Sequence, residues 1–178
     1  MANDQLGQSK EQDDERVREQ ASRVSSWLDQ EQHLHVLNRS PDPVARVRIA
    51  FNAAWFLADP GGDPAQVHVA YRVGLPSLSP CSETVIDPKT LAYLPPSAKS
   101  TSWFGPRFGT WDGVKKLPSY AAHTLIGLWF TDRDGVAWSR RAGVLAHDRQ
   151  QVEPGLVGVV QGEPKVREAS GCGSDAKS

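Results

Sequence analysis

Two histidines open the search for chemistry. His33 and His35 stand at i and i+2 in an extended segment, so their rings share one face and could ligate a metal ion. His68, His123 and His147 are scattered and supply no third ligand at a supporting spacing, so no metal is expected and a half-exposed edge strand is the plainer assignment. Asp132-Arg-Asp-Gly135 imitates the opening of a calcium loop, but the later acidic ligand is absent, which leaves a turn. Cys81, in Ser79-Pro-Cys-Ser-Glu83, lacks any local signature of a nucleophile. Gly-x-Ser-x-Gly, the phosphate-cradling Gly-x-x-x-x-Gly-Lys-Ser/Thr, Gly-x-Gly-x-x-Gly and paired Cys-x-x-Cys are all missing. An enzyme would need a site built from Glu83, His123 and Asp132 without a recognisable motif, and no cofactor is implied. Asn38-Arg-Ser40 matches a glycosylation sequon but reads as turn chemistry.

The second candidate is aromatic. Trp103, Phe104, Phe108 and Trp111 crowd together with Arg107, Lys115 and Lys116 among Gly105, Pro106, Gly109 and Gly113, in a stretch that should run over the surface. Such rings either cap the open end of a β domain or anchor a partner, a role in which Trp and Arg are over-represented. A carbohydrate platform is the narrower form of the second possibility, with Trp103, Phe104, Arg107, Phe108 and Trp111 as its binding residues.

These side chains need a scaffold, and 178 residues suffice for one domain with tails. The formal net charge of -1 gives no basic excess to draw the chain onto nucleic acid, and no apolar run is long enough to span a membrane. Two cysteines are too few for a disulfide framework, which suits a reducing cytoplasm. The near-neutral sum hides a division: residues 1–32 carry eight acids and four bases, and residues 33–148 carry twelve bases and nine acids. Residues 1–12 are expected to be a disordered leader. Over 13–32, Val17, Ala21, Val24 and Leu28 recur at helical spacing, without Pro or Gly from Asp13 to Gln30, and predict an N-terminal helix. Its thin stripe would dock on the domain or pair with a second copy as a short coiled coil.

From His33 the period changes to two. His33–Asn38, the segment from Val44 with Val47, Ile49 and Phe51, and Val67 to Val73 read as strands, separated by Arg39-Ser-Pro-Asp-Pro43 and Asp59-Pro-Gly-Gly-Asp-Pro64. Thr124–Thr131 and Val136–Arg140 flank Asp132-Arg-Asp-Gly135 as a hairpin. Short strands without helical crossovers predict a mainly β protein, an antiparallel immunoglobulin-like β-sandwich over 33–148, with Cys81 and Cys172 not on paired strands. Residues 149–178, which carry no aromatic residue and close on the small, polar stretch Glu168–Ser178, are expected to be a mostly disordered tail.

Three segments resemble a group of uncharacterised actinobacterial proteins: Gln20-Ala-Ser-Arg-Val-Ser-Ser-Trp27, Val36-Leu-Asn-Arg-Ser-Pro-Asp-Pro-Val44, and Trp129-Phe-Thr-Asp-Arg-Asp-Gly-Val-Ala-Trp-Ser-Arg140. The resemblance implies a helix ending near Trp27, a strand pair around Asn38, Ser40 and Pro43, and a closing hairpin. In that hairpin Asp132 and Gly135 form the tip, Trp138 packs across on Phe130 or Trp129, and Arg140 stacks on Trp138 or pairs with a carboxylate. It assigns no chemistry. The function expected is therefore a non-catalytic protein-interaction module with a protein partner, with a small-ligand or carbohydrate-binding sandwich as the alternative.

Overall fold

The structure is a computed structural model that describes residue 15 and residues 18–57, 63–95, 108–109, 113–147 and 155–172. Its strands are β1 (Val24–Leu28), β2 (Leu34–Asn38), β3 (Val44–Leu57), β4 (Ala65–Gly74), β5 (Ser77–Leu78), β6 (Ser82–Ile86), β7 (Leu91–Leu94), β8 (Phe108–Gly109), β9 (Lys115–Lys116), β10 (Ala122–Thr131), β11 (Ala137–Arg141), β12 (Val144–His147), β13 (Leu156–Gln161) and β14 (Lys165–Glu168). They form a four-stranded sheet, β1-β2-β6-β14, and a larger one ordered β12-β11-β10-β3-β4-β13-β7-β9, with β5 on β3 and β8 on β13.

Alternation decides what lies between the sheets. From the small sheet Val24, Leu34, Val36 and Ile86 turn inward; from the large one Val47, Ile49, Phe51, Tyr71, Leu128, Phe130 and Trp138 meet them in one apolar cluster. The protein is mainly β, and the two sheets share that core. The long β3 is bent by bulges on both partners. Between the pairs Trp129↔Arg48 and Thr131↔Ala45 it carries an extra residue, and Arg46 in that stretch has a φ of 52°.

Several expectations are corrected. The helix predicted over 13–32 is confined, among the described residues, to 15 and 18–22; Val24–Leu28 is a strand paired with β2 through all five residues. Val24-Ser-Ser-Trp has weak helix propensity, and the hairpin with β2 places Val24 in the core, which a helical stripe does no better. With Val24 and Leu28 on a strand, the continuous stripe is gone and the coiled-coil pairing of copies through it has no basis. The tail predicted over 149–178 contains β13 and β14. Nor is the large sheet purely antiparallel, because β13 runs parallel to β4 and to β8. β2 lies inside its sheet, not at an edge. Finally, Cys81 and Cys172 form a disulfide with Cα atoms 5.4 Å apart, which withdraws the support that cysteine usage lent to a reducing cytoplasm. No helix among the described residues is long and apolar enough to cross a membrane.

Candidate functional site

The outward face of the small sheet is a short lattice fixed by register. One row is Ser25, Leu37, Glu83 and Arg167; the next is Trp27, His35, Val85 and Lys165. Since Leu34, Val36 and Ile86 point into the core, these neighbours point away from it.

The turn joining β1 to β2 organises the second row. Asp29 Oδ1 accepts from the backbone N–H groups of Glu31 at 2.9 Å and His33 at 2.8 Å, an Asx-type closure, and Gln32 takes a φ of 65° to complete it. The other carboxylate oxygen, Oδ2, lies 3.1 Å from both His33 Nδ1 and His35 Nε2. Partial burial raises the Asp29 carboxyl, but the hydrogen bonds from the His35 ring, the His33 backbone and the His33 ring outweigh it and lower it to about 2.

His35 is therefore gripped from both sides. Its Nδ1 stands 2.6 Å from Glu83 Oε1, and Glu83 is in turn held by Arg167, through Nε at 2.7 Å and Nη2 at 3.0 Å. The forked bond from Arg167 holds the Glu83 carboxyl below its ordinary range, against the opposing effect of burial. Each ring nitrogen of His35 thus faces a carboxylate oxygen. On this clamped imidazole lies Trp27, its cross-strand neighbour, with ring centroids 4.9 Å apart and planes 7° from parallel.

The stacked pair divides two concavities. On the His35 side, a cavity of about 460 Å³ is lined by His33, His35, Asp29, Glu31, Lys165 and Arg167 among others. On the Trp27 side, one of about 500 Å³ is lined by Ser22, Arg23, Ser25, Trp27, Leu37, Arg39 and Gly171. Trp27 stays 39% exposed, while His35 and Glu83 are buried.

The remaining sequence candidates sit elsewhere. Asn38, fully buried, donates through Nδ2 to the carbonyls of Asp42 at 2.9 Å and Ser79 at 3.0 Å and accepts from Ser40 N. Its amide is thus enclosed within the sequon. Ser40 Oγ accepts from Asp42 N, and exposed Pro43 leads into β3. Asp132 closes the β10–β11 turn, Gly135 supplies a φ of 81°, and Trp138 pairs across the strands with Phe130 while its indole N–H donates to Asp132. Among the described residues Arg140 neither stacks on Trp138 nor meets a carboxylate: it donates to the carbonyl of Ser22 at 3.0 Å and holds the end of the helical turn. Trp103, Phe104, Arg107 and Trp111 lie outside the described residues, and of Phe108 only the backbone, in β8, is described.

Glu83, His123 and Asp132 are not brought together. His123 and Asp132 stand nine residues apart on and just beyond β10, roughly 30 Å at the rise of a strand, and Glu83 belongs to the other sheet. Among the described residues no group of three His, Cys, Asp or Glu side chains is arranged to hold a metal ion. Sequence reasoning singled out His35 and Trp27 separately but missed Asp29, Arg23, Arg39 and Arg167. The one local signal joining the first two is symmetry, since Trp27 and His35 lie equally far on either side of Glu31 in the turn.

Comparison of the chain with protein-family models, with curated proteins and with solved structures finds no match.

Proposed function

We propose that the chain is a non-catalytic binding module that meets its partner on the outward face of the small sheet, with Trp27 as the anchor. The observation that carries this is the clamp behind the ring. A lone exposed apolar side chain is ordinary on a protein surface. Trp27 differs, because the residue it stacks on is buried and fixed by Asp29 on one side and by Glu83 with Arg167 on the other. An exposed indole already held in one orientation loses little freedom on binding, which is what a recognition anchor needs. The immunoglobulin-like assignment of the two-sheet sandwich and a protein as the partner belong to the same proposal, as does the kinship with actinobacterial proteins; a fold of this kind does not by itself dictate what is bound.

The test is affinity capture from the native cell with wild type, Trp27→Ala and, as a control, Phe56→Ala, which alters another exposed aromatic ring on the large sheet. Captured species should disappear with Trp27→Ala and persist with Phe56→Ala. Equal capture by all three would remove the assignment. The polar lining of the concavity beside Trp27 favours a second possibility, a small polar ligand in place of a protein surface.

A further inference from the structure

We propose that the concavity on the Trp27 side of the stack binds the carboxylate-bearing ring of an acidic sugar, such as a residue of a uronic-acid polysaccharide. This rests on the assignment of the small sheet's outward face as the binding surface and names the chemistry of its ligand.

Three features converge on one ligand. Trp27 gives one face of its indole to His35, and the ring also lines the groove. A pyranose ring offers a flat array of C–H bonds, and the electron-rich face of an indole is complementary to it. Next, the wall is polar: Ser22 and Ser25 line it, Ser25 half-buried on the same strand as Trp27 and two residues away, hence on the same face. Sugar hydroxyls would find partners there without a deep apolar pocket. Last, two arginines, Arg23 and Arg39, line the same groove as the ring. Arg23 already holds a carboxylate at the rim, Glu19 Oε1 at 2.7 Å from Nη2, in a pair exposed enough to exchange at little cost. Arg39 is exposed, and its guanidinium makes no hydrogen bond or ion pair with any described residue.

Among the described residues the charge count at this rim is one carboxylate, Glu19, against two guanidinium groups, which leaves one positive charge for one acid group on the ligand. Asp29 and Glu83 stand across the stack and do not line this groove. A planar guanidinium takes a carboxylate through two parallel hydrogen bonds, so Arg39 would set the ring's orientation on Trp27 while the stack supplies contact area.

The full-length protein is titrated with a glucuronic-acid disaccharide and, separately, with the neutral glucose disaccharide, while the indole N–H signals of the tryptophans are followed by nuclear magnetic resonance. Trp27→Phe identifies the Trp27 signal. The acidic disaccharide should move that signal, the neutral one should bind at least about tenfold more weakly, and Arg39→Ala should weaken the acidic ligand by about the same factor. Arg39→Lys should recover only part, since lysine keeps the charge but not the fork. Absence of a Trp27 shift, equal binding of both sugars, or an Arg39→Ala variant that binds as wild type does would each overturn the proposal. The acid-against-neutral comparison needs only wild-type protein, so it decides even if a variant fails to fold. If the sugars fail while Trp27→Ala still abolishes capture from the cell, the ligand class falls and the binding face stands.

Discussion

His123 and Tyr71 meet edge to face in the core, their ring centroids 6.3 Å apart, and neither the imidazole nitrogens nor the phenol oxygen finds a hydrogen-bond partner among the described residues. Burial lowers the basicity of His123 below its ordinary 6.5, so the folded ring stays neutral where the unfolded one takes a proton. Above pH 6.5 both states are neutral and His123 is silent. As pH falls below 6.5 the unfolded state binds the extra proton and stability declines, by at most about 1.4 kcal/mol per pH unit for one group. Urea denaturation at pH 7.5 and 5.5 should show this loss in wild type and much less of it in His123→Phe; equal losses would place the acid sensitivity elsewhere. The carboxylates of the clamp act lower on the scale. Asp29, lowered to about 2, and Glu83, lowered by Arg167, contribute stability that is complete above their unfolded values of 3.8 and 4.5 and fades as pH drops toward 2. Between pH 5 and 2 the Trp27 signal should therefore change as the His35 clamp lets go, and Glu83→Gln should remove the Glu83 contribution and leave only the step of Asp29.

At the scale of elements, the β10–β11 hairpin depends on one side chain. Asp132 Oδ1 accepts from the backbone N–H groups of Asp134 at 3.0 Å and Val136 at 2.8 Å, and Oδ2 from the Trp138 indole at 2.7 Å. Asp132→Ala leaves a buried indole N–H without its acceptor and opens the turn, a loss of about 2–4 kcal/mol that thermal unfolding would register. This hairpin was legible in the sequence because its whole signal is local: Asp-x-x-Gly between two apolar runs. So were β3 and β4, where alternation persists over many residues. β1 was not, because Val24 and Leu28 fit a helical stripe as well as a strand, and only pairing with Leu34–Asn38 decides between them. β13 was lost in a polar tail since what orders it is remote, a place between β4 and β7. Gly158 makes that place possible: a Cβ there would stand 2.8 Å from the Arg72 carbonyl oxygen and 2.8 Å from the Tyr71 ring. Gly158→Ala should cost roughly 1–3 kcal/mol through this clash, seen as a lower denaturation midpoint. The candidate site was half-legible for the same reason. His33 and His35 declare themselves by spacing, whereas Glu83 reaches His35, and Arg167 reaches Glu83, from strands far apart in the chain.

The whole molecule is closed by the bond between Cys81 and Cys172, which span 91 residues of sequence. Cys81 sits at a φ of 51°, an uncommon conformation for a side chain with a Cβ, and its backbone is held on both sides: its N–H donates to Ser40 O at 3.1 Å and its carbonyl accepts from Ala169 N at 2.8 Å. The disulfide thus ties the turn before β6 to the residues after β14, the strand whose Arg167 fixes Glu83 and, through it, the ring beneath Trp27. In the chain-entropy account, a loop of this length lends roughly 4–5 kcal/mol by restricting the unfolded state. At about 2–4 °C per kcal/mol for a chain of this size, reduction should lower the melting temperature on the order of 10 °C. Cys81→Ser with Cys172→Ser should match the reduced wild type and be indifferent to reductant. The two effects separate by location. A global loss lowers the melting temperature while leaving limited proteolysis at neutral pH unchanged. Release of β14 alone would instead expose Lys165 and Arg167 to trypsin and weaken the Trp27 clamp well below the melting point. The entropic account requires the first pattern. The second would mean that the disulfide acts chiefly on the native state, holding the last strand of the small sheet against β6 so that the proposed binding face exists only in the oxidised protein.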